Sequence, residues 1–347
     1  MARGRDLAIA APGDIIQVLP GTYAPFSVGI GCTIRGSAPG AVQVHDPAGV
    51  ASVAIQAPPG QVVHLAALAF DFPAAGNVLI NGGRVTFDRC TLLARGAIGP
   101  LTSPLAITNA NVHLQSCSVS CSNPFGFDVA MSGTNSHITA IDSQFFGSPL
   151  VPSFFYVTSP AIDLSGTTLH ASGCAIRSGT YGTGQAPALR ANGGQVWLSD
   201  SNVVGYGFAC PIVATSVLVD RCSVQPTSPN CPTLPGGALL GVSRPLPLQN
   251  GAPFSLVYST IPNSYAAIFA SQELATLTIP GLHAQTQWLG TGVINLGVVL
   301  ADVAGHATAA WPIPAGAWLI DQPMWFQGLT GFALPLQLSP VAGGLIR

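Results

Sequence analysis

VTFDRCTL, residues 85–92, returns as VLVDRCSV at residues 217–224. In a chain of 347 residues with eight cysteines, a repeated Asp-Arg-Cys admits four local readings: a reactive thiol, a metal site, a disulfide framework or a packing repeat. Segments between the two copies decide among them. VHLQSCSV from Val112, ITAIDSQF from Ile138, LHASGCAI from Leu169 and VWLSDSNV from Val196 align with both, and VHLAALAF from Val63 is a fainter earlier copy. The sixth position reads Cys90, Cys117, Ser143, Cys174, Ser201, Cys222, at intervals of 27, 26, 31, 27 and 21 residues, with Leu68 in the faint copy. Positions one, three, six and eight are apolar or small, and positions two and four are mostly polar. That is alternation of period two, a short bend, then alternation again: two strands meeting at a corner.

A third apolar run precedes each unit: VLI from Val78, LAI from Leu105, VAM from Val129, AIDL from Ala161, ALRA from Ala188 and PIV from Pro211. Most close on turns such as Asn81-Gly82, Ser165-Gly166 and Asn192-Gly193, residue types that tolerate left-handed backbone. Three strands per repeat predict one coil of a parallel β-helix, with coils stacked about 4.8 Å apart. The thiol-or-hydroxyl column then faces inward at one corner, where only a small side chain fits, and packing is the favoured role of its cysteines. A Cys90–Cys117 disulfide and a catalytic or metal-bound thiol are the weaker alternatives, since equivalent inward positions suit stacking better than bridge geometry. Cys210 and Cys231 lie outside the column and are the disulfide candidates if the chain is secreted. Cys32 and Cys121 have no evident partner.

Composition agrees. Charged residues make up 7% of the chain, with 40 Gly and 30 Pro, against a usual charged share of about 25%. Long surface helices need Glu, Lys and Arg, so the composition argues against a helical protein. The net charge of −2 and the lack of a basic stripe give no reason to expect nucleic acid. Mean hydropathy is +0.48, yet no uninterrupted apolar stretch reaches the roughly 18–20 residues of a spanning helix, and the irregular turns do not suit an outer-membrane barrel. Residues 1–6 carry basic residues with no apolar run behind them, so they are not a signal peptide; a secreted precursor lacking its leader fits the composition.

GDIIQVLPGTY, residues 13–23, followed by CTIRG from Cys32, resembles the opening coil of pectin-lyase-like right-handed parallel β-helix proteins. The resemblance covers residues 6–235. It implies that residues 6–11 are the remnant of an N-terminal cap, and that the relatives include polysaccharide lyases, glycosidases, tailspikes and surface proteins. Lyases of this type place a basic group beside a carboxylate that Ca²⁺ neutralises, and the hydrolases use paired acids with His and Arg-Lys motifs. This chain shows neither an Asp-Asp pair nor a Gly-His-Gly, and it is poor in Lys.

The outward positions carry the candidate chemistry. Position two carries Thr86, His113, Thr139, His170, Trp197 and Leu218. His113 and His170 are two rungs apart, too far to share one metal ion, and are expected at the surface or in a groove; no metal site is expected. Position five carries Arg89, Asp142, Asp200 and Arg221, expected as solvated corner charges or turn-forming side chains. Asp163 and Arg190 occupy one outward position in adjacent coils, with Asp128 nearby. These three are the catalytic candidates if the chain is an enzyme, although an exposed ion pair is the simpler reading. The loops between coils carry Phe125, Phe127, Phe154, Phe155, Tyr156, Tyr181, Tyr206 and Phe208 along one edge. Aromatics there could stack on sugar rings, and burial by a second domain or another subunit is favoured.

The repeat fails after Cys231. Residues 236–252 read as a Pro/Gly-rich linker between a β-helix over residues 1–235 and a module over residues 253–347. Strand-like runs start at Phe254, Tyr265, Leu274, Val293, Ala307, Ala317 and Leu334 and predict a small antiparallel β-sandwich. Four of five tryptophans fall there, Trp288, Trp311, Trp318 and Trp325, and are expected to fill its core rather than form a sugar platform. The stretch from DVAGHA at Asp302 to WFQ at Trp325 resembles C-terminal modules on secreted bacterial proteins.

Two functions follow as expectations. The first is a secreted or cell-surface structural or binding protein that takes a polysaccharide or another copy of itself and needs no cofactor. The second is a polysaccharide lyase or glycosidase using the outer face near Asp163 and Arg190, with Ca²⁺ only under the lyase reading.

Overall fold

The structure, a computed structural model, describes residues 10–48, 51–73, 76–95, 103–122, 129–147, 159–179, 186–199, 201–206, 210–220, 222–225, 241–243, 248–272, 274–277, 287–289, 292–319, 322–331, 334, 336–339 and 342–346. Three parallel sheets of nine, nine and eight strands wind through the coils. The first sheet runs from Ile15–Val18 to Val217–Asp220, the second from Gly21–Tyr23 to Ser223–Gln225, and the third from Ser27–Val28 to Ile212–Ala214. Pairing follows the repeat residue for residue: Val85 lies beside Val112, Val112 beside Ile138, Ile138 beside Leu169, and Leu169 beside Val196. The alternation in sequence becomes an interior in which Phe70, Phe72, Phe87 and Phe145 are fully buried. The opening coil forms as expected, with Ile15–Val18 pairing to Thr33–Gly36; most of the cap segment 6–11 lies outside the described residues.

The corner between the first and second sheets explains Asp-Arg-Cys. Asp88 ends a strand, Arg89 makes the turn and Cys90 points into the core. Five described residues of the turning column adopt left-handed backbone, with φ of 55° at Ala67, 50° at Arg89, 50° at Ser116, 48° at Asp142 and 63° at Gly173. This conformation costs a non-glycine residue about 1–2 kcal/mol. Hydrogen bonds to the next coil offset it: the N–H groups of Arg89, Ser116 and Asp142 each reach a carbonyl at 2.9 Å. The inward column is also bonded. Cys117 and Cys174 donate N–H to the hydroxyls of Ser143 and Ser201 on the following rung, both at 3.1 Å. The side chains of Cys117, Ser143 and Cys174 donate to the carbonyl two residues back, at 3.3, 2.8 and 3.4 Å. Thiol and hydroxyl alternate there because each is small and each can make that bond. Cys90, Cys117 and Cys174 are free and buried, which answers the opening question in favour of packing. Burial pushes the Cys174 thiol up to about 12 and Cys117 well above the usual thiol value, so neither is poised as a nucleophile. Cys210 is disulfide-bonded; six others are free, and Cys231 lies outside the described residues.

A second corner, between the third and first sheets, repeats the device with different residues. Gly82, Asn109, Asn135, Gly166 and Gly193 turn with φ of 80°, 51°, 48°, 58° and 75°. The inward residues that follow hold the ladder, with the N–H groups of Ala110 and Ser136 donating to the hydroxyls of Ser136 and Thr167 at 3.2 Å. Gly194 is obligatory here: its φ is +74°, and a Cβ would fall 2.1 Å from the Thr167 carbonyl oxygen.

The C-terminal region forms a three-stranded sheet (Gly241–Ser243, Pro253–Ser259, His306–Pro312) and a five-stranded sheet built around Tyr265–Ser271 and Pro323–Thr330, with a separate hairpin of Leu274–Leu277 and Gln287–Leu289. Two expectations change. Gly241–Ser243, inside the stretch read as a linker, pairs with Pro253–Ser259. The strand expected from Ala317 begins only at Pro323, because Ala317–Leu319 makes a short 3-10 turn. DVAGHA forms a tight connection in which Asp302 accepts from the N–H groups of Ala304 and His306 at 2.8 Å.

This module packs on the outer face of the first sheet. Ile141 from that face joins the cluster of Leu256, Tyr258, Ile268 and Phe326, and Trp325 meets His113 edge-on with ring centroids 4.2 Å apart. The tryptophans therefore do not share one core. Trp325 lies against the β-helix, Trp311 is half-buried and donates to the Leu296 carbonyl at 2.9 Å, and Trp318 is 70% exposed. No helix among the described residues is long and apolar enough to cross a membrane.

Candidate functional site

Asp163 and Arg190 stand opposite one another on adjacent rungs of the third sheet. Arg190 grips the carboxylate with both ends of its fork, Nε to Oδ1 at 2.8 Å and Nη2 to Oδ2 at 2.5 Å. The hydrogen bond to Asp163 raises the Arg190 pKa further, the opposite of what a proton-abstracting base needs. The outward neighbours on the preceding and following rungs are Ser132 and Val213, so no second acid stands beside the pair in this column. Asp128 lies outside the described residues.

The other described carboxylates of the β-helix hold structure. Asp14 and Asp46 accept backbone N–H groups in turns, Asp71 binds Arg95 at 2.9 Å, and Asp88 contacts Arg89 at 3.4 Å. Asp142 sits at the first corner, with its Oδ1 over Gly173. Among the described residues, no group of three or more His, Cys, Asp or Glu could hold a metal ion.

His113 and His170, expected at the surface or in a groove, are buried. The pairing lines up Thr33, His64, Thr86, His113, Thr139, His170 and Trp197 in one outward column of the first sheet. His113 and His170 are 2% and 4% exposed because the module covers that face. His170 stacks on Trp197 with centroids 4.7 Å apart and planes 10° apart. Desolvation lowers His170 to about 3 and His64 to about 4, so both are neutral at pH 7.

The open concavity lies elsewhere. At the corner between the third and first sheets, a groove of about 720 Å³ is lined by the 56–61 turn on one side and by three successive rungs on the other. Its polar side chains are Gln56, Gln61, Asn81, Arg84, Asn109, Asn111, Asn135 and His137, and no carboxylate lines it. Two columns supply most of them. Asn109 and Asn135 turn the corner, and Arg84, Asn111 and His137 lie side by side at the strand starts. Gln61 is engaged with the N–H of Gly31 at 2.6 Å. Among the described residues, the side chains of Asn81, Arg84, Asn109 and Asn111 make no hydrogen bond or ion pair within the protein. Burial lowers the His137 pKa, which leaves Arg84 as the charge of the groove at neutral pH. Such a surface presents amide donors and acceptors at rung spacing, as sugar hydroxyls require.

The groove is hidden in the sequence because Asn109 and Asn135 sit on corners, and Asn81 and Asn111 at strand ends, rather than at the alternating outward positions. A signal was present in Asn109 and Asn135, which hold the same corner position in consecutive coils. Of the eight expected loop-edge aromatics, Tyr206 is described; it is half-buried and bridges to Ala186. Phe125, Phe127, Phe154, Phe155, Tyr156, Tyr181 and Phe208 lie outside the described residues, as does Asp200.

No protein-family model matches the chain, and no curated protein matches it. Among solved structures, the enzymatically active domain of tailspike protein 2 from bacteriophage CBA120 aligns over 92% of this chain and 69% of its own, with 9% identity and a TM-score of 0.34. A pectate lyase aligns over 69% of this chain and 52% of its own, with 14% identity and a TM-score of 0.30. The A-module of the mannuronan C-5 epimerase from Azotobacter vinelandii aligns over 65% and 91%, with 8% identity and a TM-score of 0.21. The chain spans about half the length of that pectate lyase. Likenesses this distant carry no chemistry. By its own three parallel sheets the chain is a parallel β-helix protein, with an antiparallel module at its C-terminal end.

Proposed function

We propose that this protein is a glycan-binding β-helix rod that does not cleave its ligand and works outside the cell or at its surface. The observation that carries this reading is the corner groove, rich in unpaired amides and free of carboxylates. It is supported by the described acids of the β-helix, which form turns or pair with arginine. Glycosidic chemistry asks for an acid and a base near one bond, and the Asp163–Arg190 pair offers a neutralised couple instead. The disulfide at Cys210 favours an oxidising compartment.

The test is to incubate the protein with a panel of polysaccharides, with and without Ca²⁺, and to follow retention together with unsaturated-uronate absorbance and new reducing ends. Retention without product is expected, and Asp163→Ala should change neither, since an exposed pair contributes under about 1 kcal/mol to stability. Product formation abolished by Asp163→Ala would show a carbohydrate-active enzyme on the third sheet.

A further inference from the structure

Two described arginines of the β-helix surface, Arg84 and Arg177, make no hydrogen bond or ion pair, and of the two Arg84 lines the groove. Arg89, Arg95 and Arg190 are each paired with an aspartate, whereas Arg84 has no such partner among the described residues. Its neighbours in the same column, one and two rungs on, are Asn111 and His137. Asn111 is uncharged and His137 is held toward its neutral form by burial. The corner column beside them is also uncharged, passing from Gly82 to Asn109 and Asn135. The groove therefore presents one fixed cation at one end of a neutral amide track, with rungs about 4.8 Å apart. An extended chain of pyranose rings advances by close to one rung per sugar.

We infer that the corner groove takes a glycan that is neutral apart from a single carboxylate substituent, with that carboxylate on Arg84 and the flanking sugars on Asn109, Asn111 and Asn135. The inference rests on the glycan-binding reading and adds the ligand class and the residues that read it. A guanidinium fork matches a planar carboxylate with two parallel hydrogen bonds. A polyuronate gains nothing further, because its next carboxylate would face an amide with no cation to meet it, and desolvating an unpaired charge is costly.

The experiment uses an array of paired glycans, each present with and without one uronate or one sialate, together with a polygalacturonate. Bound fractions are read for the wild type, Arg84→Gln and Asn111→Asp, after confirming that each variant keeps the wild-type melting temperature within a few degrees. For at least one backbone, the singly acidic member should bind about tenfold to a hundredfold tighter than its neutral partner, the range of a hydrogen bond to a charged group. Comparing the uronate and sialate arms identifies the source of the carboxylate. Arg84→Gln should erase the difference, and Asn111→Asp, which places a carboxylate beside Arg84, should erase it as well by neutralising the cation. Equal binding of neutral and acidic partners, unchanged selectivity in both variants, or tighter binding of polygalacturonate overturns the inference while leaving glycan binding in place. Binding of no glycan at all overturns the parent reading as well.

Discussion

Acidification from pH 7 to about pH 4 is expected to cost this protein several kcal/mol of stability, and the loss should begin well above the range in which carboxylates titrate. The cause is the histidine column beneath the C-terminal module. His170, 4% exposed and stacked on Trp197, takes a proton in the folded state only near pH 3. His64 does so near pH 4, and desolvation is the leading cause for both; the charge of nearby His137 lowers His170 further. In the unfolded chain each titrates near 6.5. Between the two values the unfolded state binds more protons than the folded state, so the stability is fully present above about 6.5 and falls as pH drops through the window. Each unit of pH there costs roughly 1.4 kcal/mol per buried histidine, against a typical total of about 5–15 kcal/mol. Aspartates add their own losses only near and below about pH 4. Melting temperature measured between pH 7 and pH 5 therefore isolates the histidines. His170→Phe preserves the stack on Trp197 without a titrating group and should flatten the slope; a variant as steep as the wild type would contradict burial of that face.

The second large effect concerns the inward column. Cys174→Ser should leave stability within about 1 kcal/mol of the wild type, because Ser143 and Ser201 already fill the same position and a hydroxyl can donate to the Ser172 carbonyl as the thiol does. Cys174→Leu should cost roughly 1–3 kcal/mol or more. The larger side chain must enter a corner where Cys174 is 2% exposed and its neighbours Ala140 and Ala171 are fully buried, and the donor to Ser172 is lost. Denaturant midpoints of the two variants give the comparison. Equal losses would mean that the position is selected for its sulfur rather than its size.

The β-helix was legible in the sequence because its decisive feature is a size constraint at an inward position, and Cys90, Cys117, Ser143, Cys174 and Ser201 all display it. The strands followed from alternation around that column. The corners were harder to read: Arg89, Ser116, Asp142 and Gly173 share a left-handed backbone but no side-chain property, and Asn109 and Asn135 alternate with glycines in the same way. Docking of the module was hidden because the buried face is built from Thr86, His113, Thr139 and His170, residues that resemble a solvated surface until the pairing shows Ile141 and Trp197 among them. The groove fell in the same blind spot, since its amides belong to turns formed by separate coils. Asp163 and Arg190 were placed correctly by register alone, yet register could not show the bidentate grip that neutralises them.

Alkylation of the native protein, resolved cysteine by cysteine with mass spectrometry, tests most directly whether the repeated thiols are packing. Cys90, Cys117 and Cys174 should label only as fast as the whole β-helix unfolds, and together, with denaturant accelerating all three in parallel. Rapid labelling of any one of them in the folded protein, at a rate indifferent to global stability, would contradict the inward ladder on which the fold and the functional reading both stand.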